Sequence, residues 1–168
     1  MPSITAETAF AIDNSSIHFG PGVTEEVGFE MRRLGAKRVM VVTDPRLKNS
    51  RAVGITMESL AADGVDAVLF DRVEVEPTDL SFKDAIAFAI DGKFDGYVGV
   101  GGGSAIDTCK AANLYATFPA DFLDYVNAPI GKGKLAPGPL KPMIAIPTTA
   151  GTGSETTGGA IFDLLEMK

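Results

Sequence analysis

The sequence predicts an α/β fold in which helices cover both faces of an open parallel sheet. The main observation is that short apolar segments of strand length alternate with longer segments whose apolar residues recur at helical spacing. Strands that are apolar throughout are typical of parallel sheets buried on both faces. The second observation is size, because 168 residues with 45% apolar content suit one domain with one core. We therefore expect a doubly wound domain over residues 1–168, with ligands bound at the carboxyl ends of its strands.

The first predicted unit is a helix over residues 23–34 followed by a strand. Thr24 is placed as the N-cap, glutamates occupy the first turn, arginines occupy the last turn, and Gly35 ends the helix. This order of charges complements the helix dipole. The apolar segment "RVMVVTD" then indicates a buried strand that ends at Asp44.

The same order of helix and strand repeats along the middle of the chain. Apolar residues at positions 53, 57 and 60 mark a second helix, which ends at Gly64 and precedes the strand "VDAVLF". Thr78 is the predicted N-cap of a third helix, which leads to the strand "YVGV". A fourth helix is expected from Ser104 to about Thr117.

The last predicted strand, "MIAIP", is reached through a long connection. Residues 119–142 are rich in proline and glycine, and we interpret them as an ordered crossover loop. The strand leads directly into "TTAGTGSETT". Unusual segments thus follow three strands: Asp44, a run of glycines, and this Thr-rich loop.

The glycine run between a strand and a helix predicts a phosphate site. Gly101, Gly102 and Gly103 are consecutive, and Gly99 lies just before them. Residues without a side chain let a ligand approach the backbone N–H groups at the positive end of a helix. A tight turn is the structural alternative. Ser104 as an N-cap would likewise form a capping-box-like pair with the residue three positions later instead of touching a ligand.

Two other strand ends supply groups suited to a nucleotide, although the usual dinucleotide fingerprint of spaced glycines followed by an acid is absent. The Asp44 carboxylate could accept hydrogen bonds from ribose hydroxyls and repel a 2′-phosphate, which favours NAD over NADP. Its alternative is a turn residue before Pro45. The loop "PTTAGTGSETT" offers hydroxyl groups for a pyrophosphate, a ribose or an amide. Its alternative is a surface turn cluster.

Composition excludes several classes of function. The chain carries 22 acidic and 15 basic residues, a net charge of −7, so it lacks the positive field of a general nucleic-acid or anionic-membrane binder. No apolar run approaches the roughly 20 residues of a membrane span. The single cysteine excludes an intrachain disulfide framework. With no leader-like pattern in residues 1–15, we expect a cytoplasmic protein with a small-molecule ligand.

Two motifs carry a resemblance to a known family. "GGGSAIDTCK" and "IPTTAGTGSE", with "VVTD" upstream, resemble the N-terminal domain of the iron-containing (group III) alcohol dehydrogenases. "VEPTDLSF", "CKAANLYATFPADFLDYVNAPIGKGK" and "SETTGGAIFD" are most similar to its hydroxyacid-oxoacid transhydrogenase branch. That branch oxidises 4-hydroxybutyrate to succinate semialdehyde and reduces 2-oxoglutarate to 2-hydroxyglutarate with a bound nicotinamide cofactor.

The resemblance implies a set of cofactor-binding residues. Asp44 would bind the adenosine ribose, and the glycine run with the serine after it would bind the pyrophosphate. Asp107 would lie beside the nicotinamide end, and threonines after the last strand would line the cofactor. The full set implied in this sequence is Asp44, Gly101, Gly102, Gly103, Ser104, Asp107, Thr148, Thr149 and Thr152.

The same resemblance implies that a Rossmann-like NAD domain precedes an all-helical domain that holds Fe²⁺ or a substitute such as Zn²⁺. It also implies that the complete protein is a homo-oligomer, most simply a dimer. We expect no metal ligand or catalytic residue in this chain. His18, its one histidine, lies outside the family's ligand motifs, and Cys109 is expected to be a buried apolar residue.

The resemblance leaves three functional hypotheses. The first is the NAD domain of a transhydrogenase that acts on hydroxy acids, supplied as a fragment that is inactive alone. The second is the same domain of an ordinary NAD-dependent iron alcohol dehydrogenase that acts on a small alcohol. The third is a non-catalytic nucleotide-binding module. The end of the chain at "AIFDLLEMK" favours a truncated chain over a module.

Overall fold

The fold, seen in a computed structural model that describes residues 16–167, is an α/β structure built on a four-stranded parallel sheet. The spatial order of the strands is β2-β1-β3-β4. The strands are β1 Arg38–Val42, β2 Asp66–Phe70, β3 Gly96–Gly101 and β4 Met143–Pro147. The helices are α1 Val27–Arg33, α2 Arg51–Ala62, α3 Asp79–Gly92, α4 Gly103–Thr117 and the short α5 Phe122–Tyr125, with 3₁₀ turns at Val23–Glu26 and Leu165–Met167.

Helices cover both faces of the sheet, as predicted, but the sheet divides the interior into separate apolar clusters instead of one core. Met40 and Val42 pack with side chains of α3 and α4 on one face. Val39 and Val41 pack with side chains of α1 and α2 on the other. Successive side chains of a strand point to opposite faces, so β1 supplies both clusters. A third, smaller cluster joins α3 and α4 near Phe122.

Local signals in the sequence position most helix ends correctly. Thr78 caps α3 in a capping box with Ser81, since each side chain bonds the backbone N–H of the other residue. Gly35 and Gly64 have the positive φ values of +86° and +71° expected where a helix stops. The prediction of Thr24 as an N-cap is wrong, because the chain enters through a 3₁₀ turn whose N-cap is Gly22.

The connection from α4 to β4 is held by specific bonds, in agreement with an ordered crossover loop. The Asp124 carboxylate accepts hydrogen bonds from Lys132 Nζ at 2.6 Å and Lys134 Nζ at 2.9 Å. The Lys134 backbone N–H also donates to the Asp124 carbonyl at 2.9 Å. These bonds close the loop on itself beside α5.

The strand order places a crevice between the carboxyl ends of β1 and β3. The chain leaves β1 for β2 on one side and then returns to form β3 on the other side of β1. Connections that diverge in this way leave the ligand crevice of an open α/β sheet. The Thr43 hydroxyl donates to the Val100 carbonyl at 2.8 Å, which holds the two strand ends together. No helix within residues 16–167 has the length and apolar character needed to cross a membrane.

Candidate functional site

A groove of about 440 Å³ lies at this crevice. It combines residues that follow each of the four strands, and most of them come from the sequence-predicted set. The lining residues are Asp44, Leu47, Val75, Gly102, Gly103, Ser104, Ala105, Thr148 and Thr149.

Each glycine of the run is required, or leaves space, for a different structural reason. Gly101 has a φ of +153°, and a Cβ added there would lie 2.7 Å from the Ala105 Cβ, so the fold itself requires glycine. Gly102 has an ordinary φ of −77°, and a Cβ added there would lie 3.2 Å from Thr149 Oγ1. At Gly103 it would lie 3.0 Å from Ser154 Oγ. Gly102 and Gly103 therefore keep side chains out of the groove.

Gly99 belongs to helix packing and not to the groove. A Cβ at this position would lie 3.3 Å from the Ile106 Cα and 3.3 Å from the Cys109 Cβ. The absence of a side chain lets α4 approach β3 closely. The interpretation of Gly99 as a fourth ligand-approach glycine is therefore wrong.

Helix α4 begins at the groove, one residue earlier than predicted. Its N-cap is Gly102, with no side-chain cap hydrogen bond, and its first residue is Gly103. Ser104 therefore lies in the first turn, and the alternative in which it forms a capping-box-like pair with Asp107 is excluded. The first N–H groups of a helix have no intrahelical acceptor, so this turn presents donors and a positive dipole end to the groove.

Asp44 has the turn role, one of the two that the sequence left open, and its second carboxylate oxygen lies toward the groove. Its Oδ1 accepts the backbone N–H groups of Arg46 at 2.8 Å and Leu47 at 3.1 Å, as in an Asx turn. Its Oδ2 lies on the groove side, 3.9 Å from the position of a Cβ on Gly101. One oxygen thus holds the turn while the other faces the neighbouring strand end.

The Thr-rich loop after β4 lines the side of the groove opposite Asp44. The Thr148 backbone N–H donates to the Gly101 carbonyl at 2.9 Å, so the loop leaves β4 tied to the end of β3. Thr148 and Thr149 line the groove. Thr152 lies beside it, with its Cβ 3.4 Å from a Cβ placed on Gly103, and its Oγ1 accepts the Ser154 N–H at 3.3 Å.

Asp107 is not among the groove-lining residues. It lies one helical turn beyond Ser104, is 5% exposed, and has protein partners. Its carboxylate accepts the Ile161 backbone N–H at 3.0 Å and contacts Lys110 Nζ at 3.1 Å. The structure thus brings together the other predicted residues and directs Asp107 toward the segment after the Thr-rich loop.

Of the two residues considered and set aside in the sequence, Cys109 is buried as expected. His18 is exposed, with its Nδ1 3.2 Å from Glu26 Oε2. Cys109 is fully buried, and burial raises the pKa of its thiol, which opposes any nucleophilic role. Across residues 16–167, no group of three or more His, Cys, Asp and Glu side chains could hold a metal ion.

Sequence reasoning missed the apolar part of the groove. Leu47 and Val75 both line it, and Val75 is 65% exposed. Each follows a strand by a few residues, and nothing local distinguishes them from loop residues. Only the strand order brings them to one side of the glycine run.

Comparison with known proteins gives a consistent result. Residues 14–168 match the family described as iron-containing alcohol dehydrogenase. Among curated proteins, the mitochondrial hydroxyacid-oxoacid transhydrogenase of Xenopus tropicalis is 60% identical over 163 residues, which make up 96% of this chain and 35% of that protein. The chain therefore spans only 35% of the length of this relative.

Solved structures match the fold over nearly the whole chain. A 1,3-propanediol oxidoreductase superposes with a TM-score of 0.84 at 33% identity, covering 96% of this chain and 41% of that one. An NADH-dependent butanol dehydrogenase from Thermotoga maritima superposes with a TM-score of 0.82 at 25% identity, covering 92% of this chain and 38% of that one.

Proposed function

Because this chain belongs to the iron-containing alcohol dehydrogenase family, we propose that it is the NAD-binding domain of a hydroxyacid-oxoacid transhydrogenase. The observation that carries the proposal is the groove at the end of β3, where the start of α4 meets two glycines whose missing side chains leave room for a ligand. The identity of 60% to a transhydrogenase, against 33% to a propanediol oxidoreductase, favours this branch.

The groove fits the phosphate-bearing half of a dinucleotide. Backbone N–H groups of Gly103 and Ser104 would bind the pyrophosphate, since a helix start favours negative charge. The Asp44 Oδ2 would accept the ribose hydroxyls, and the threonine side chains of the loop would line the opposite side. Among residues 16–167, Asp44 is the one ionisable side chain that lines the groove, so charge recognition there rests on it and on the helix end.

When bound, the nicotinamide ring exchanges a hydride with the substrate carbon. The residues of this chain would bind, orient and shield the cofactor while other groups act on the substrate. The described residues do not fit the iron that the family name implies, because no side-chain cluster within residues 16–167 could hold it. We therefore place the metal ligands in the part of the longer relatives that this chain does not span, in the helical domain expected from the resemblance.

The proposed reaction of the complete protein is the oxidation of 4-hydroxybutyrate to succinate semialdehyde, coupled to reduction of 2-oxoglutarate. An ordinary NAD-dependent dehydrogenation of a small alcohol is the alternative, supported by the names of the solved neighbours. For either reaction, we propose that the complete protein is a dimer. A purified full-length enzyme that retains nicotinamide and turns over without added NAD supports the transhydrogenase. Strict dependence on added NAD supports the alternative.

The cellular location is also a proposal. The cytoplasmic location expected from composition has no support from the relative named above, whose name places it in mitochondria. A mitochondrial location follows for this chain where the cell of origin contains that organelle. Fractionation of those cells followed by immunoblotting tests it.

The test of the groove is Gly102→Val, with NAD⁺ binding measured by calorimetry and stability by a melting curve. The branched side chain would occupy the space that the phosphate oxygens need, and it would contact Thr149. Losing two charge-assisted hydrogen bonds at roughly 1.5–3 kcal/mol each weakens binding by about a hundredfold or more. Because the φ of Gly102 is ordinary, the fold should tolerate the change.

The matched control is Gly54→Val on α2, where a Cβ meets nothing within 4 Å. This variant should keep the NAD⁺ affinity of the unaltered chain. A Gly102→Val protein that melts earlier but binds NAD⁺ normally would mean that the glycine serves only the turn.

A further inference from the structure

The segment after the Thr-rich loop is held across α3 and α4 by two buried carboxylates. We call residues 157–165 the strap. Asp107 on α4 accepts the Ile161 N–H at 3.0 Å, and Asp79 on α3 accepts the Leu165 N–H at 3.3 Å. Asp107 and Asp79 are each 5% exposed. Carboxylates that are nearly buried are rare unless they are paired, so each must have a partner besides the strap.

Each carboxylate is paired with a lysine on its own helix. Lys110 Nζ lies 3.1 Å from Asp107 Oδ1, and Lys83 Nζ lies 2.7 Å from Asp79 Oδ2. The lysines differ in exposure, since the Lys110 side chain is 14% exposed and that of Lys83 is 48% exposed. The two ion pairs are otherwise similar, so the main difference is that Lys110 is largely buried and Lys83 is not.

Lys110 bonds to the strap directly. Its ammonium donates to the Gly159 carbonyl at 2.7 Å and lies 3.4 Å from Thr157 Oγ1. With the Asp107 carboxylate, these contacts engage all three ammonium hydrogens. A lysine that is satisfied in this way fixes the position of the start of the strap relative to α4.

The Thr-rich loop therefore has an anchor at each end. At its start, the Thr148 N–H bonds to the Gly101 carbonyl, and at its far end Lys110 and Asp107 hold the strap. Both anchors lie on the strand-and-helix unit that carries the glycine run. Between them, Ser154 is 9% exposed and its Oγ lies within 3.0 Å of a Cβ placed on Gly103. The position of the Thr-rich loop beside the groove therefore depends on the bonds that hold the strap to α4.

We infer that Lys110, acting with Asp107, is a positioning residue for dinucleotide binding: it ties the strap to α4 and so holds the Thr-rich loop against the glycine run. The inference rests on the proposed function, because it assumes that the groove binds NAD. It gives Asp107 a role through the strap in place of direct contact with the cofactor.

The test is Lys110→Met, which keeps much of the length of the side chain and removes the ammonium. Binding of NAD⁺ is measured by calorimetry, binding of adenosine by NMR titration, and hydrogen exchange over residues 148–161 by mass spectrometry. We expect NAD⁺ affinity to fall about tenfold, the scale of coupling between linked sites, with faster exchange in the loop. Adenosine carries no phosphate and reports the Asp44 end, so its affinity should not change.

The chain supplies a matched control in Lys83→Met. That change removes the equivalent ion pair from α3, at the end of the strap farther from the loop, and should leave both NAD⁺ affinity and exchange over residues 148–156 unchanged. Lys110→Arg restores a cation at the same position and should recover most of the NAD⁺ affinity. If Lys110→Met does not fold, Asp107→Asn replaces it and must show the same selective loss of NAD⁺ binding.

The outcomes separate the two proposals. If the unaltered chain does not bind NAD⁺, the proposed function fails, and this inference fails with it. If the unaltered chain binds NAD⁺ and Lys110→Met binds it equally well, only the positioning role is overturned. An equal loss of NAD⁺ and adenosine binding, or the same loss in Lys83→Met, would show general destabilisation and would also overturn it.

Discussion

At the scale of single residues, Asp44 is a carboxylate whose two oxygens have different surroundings. Its Oδ1 is occupied by two backbone N–H groups of the turn that follows β1. Those bonds hold the side chain in one rotamer and leave Oδ2 directed toward the glycine run. A ribose recognised there meets a carboxylate that is already oriented, so binding orders little in the protein.

Replacing Asp44 with serine should relax the preference for NAD over NADP. Serine can still accept the turn N–H groups, but it removes the charge that would repel a 2′-phosphate. We expect the ratio of the dissociation constants for NADP⁺ and NAD⁺ to fall toward one, measured by calorimetry on the chain.

Asp71→Ser is the control for the Asp44 prediction. Asp71 also follows a strand directly, but its carboxylate lies 3.2 Å from Lys48 Nζ and it does not line the groove. This variant should keep the original ratio. A ratio that stays unchanged in Asp44→Ser would reduce Asp44 to a turn residue.

At the scale of elements, the crossover loop depends on a charge cluster. The pKa of Asp124 is lowered mainly by the hydrogen bond from Lys132, and next by the hydrogen bond from Lys134. A carboxyl whose pKa is lower in the folded than in the unfolded chain stabilises the fold. This stabilisation is fully present at pH values above the pKa of the unfolded chain, near 3.9. That stabilisation is lost as the pH falls through the lowered value. The loop should therefore stay closed at neutral pH and loosen only in acid.

Lys132→Met should raise the pKa of Asp124 toward its ordinary value, because it removes the larger of the two contributions. NMR titration of the Asp124 carboxyl carbon, with and without the substitution, measures the change. Lys48→Met removes a lysine from a different pair and should not affect it. Identical titration of Asp124 in the Lys132→Met and unaltered chains would mean that the contact is not maintained in solution.

At the scale of the whole molecule, the described fold has two concave regions of different character. The groove at the glycine run holds the residues proposed to bind the nucleotide. A larger cleft of about 1560 Å³ extends over β4, the outer side of α4 and the strap. The longer relatives and solved neighbours extend beyond the part matched here, since this chain covers 35% and 41% of two of them. The proposed division of labour places cofactor binding in this chain and metal chemistry outside it.

The 168-residue chain should therefore bind NAD⁺ without oxidising any alcohol. In the presence of Fe²⁺ or Zn²⁺ and a 4-hydroxy acid, we expect no NADH absorbance above background, while NAD⁺ raises the melting temperature of the chain through preferential binding to the folded state. Metal-dependent NADH formation by the pure chain would contradict the assignment of the catalytic half to another domain. The full-length enzyme is the positive control.

Local sequence features determined the elements. Helical spacing of apolar residues and the glycines at positions 35 and 64 predicted the helices, and the Thr78 cap was confirmed in detail. These features act over a few residues, so they can be read without knowing the partners. The start of α4 was misplaced because Gly102 offers no side chain that marks an N-cap.

The site depended on tertiary structure, because its members are distant in sequence. The residues at the ends of β1, β3 and β4 suggested a nucleotide, but only the order β2-β1-β3-β4 makes β1 and β3 neighbours and brings Asp44 to the glycine run. Likewise, Asp107 fits a cap when read locally, yet its carboxylate bonds to Ile161 across the fold. Periodicity and turn chemistry are local and determined what each segment becomes. The strand order and the packing of α4 against the strap are not local, and they decided that the Asp44 carboxylate lines the groove while the Asp107 carboxylate bonds to the strap.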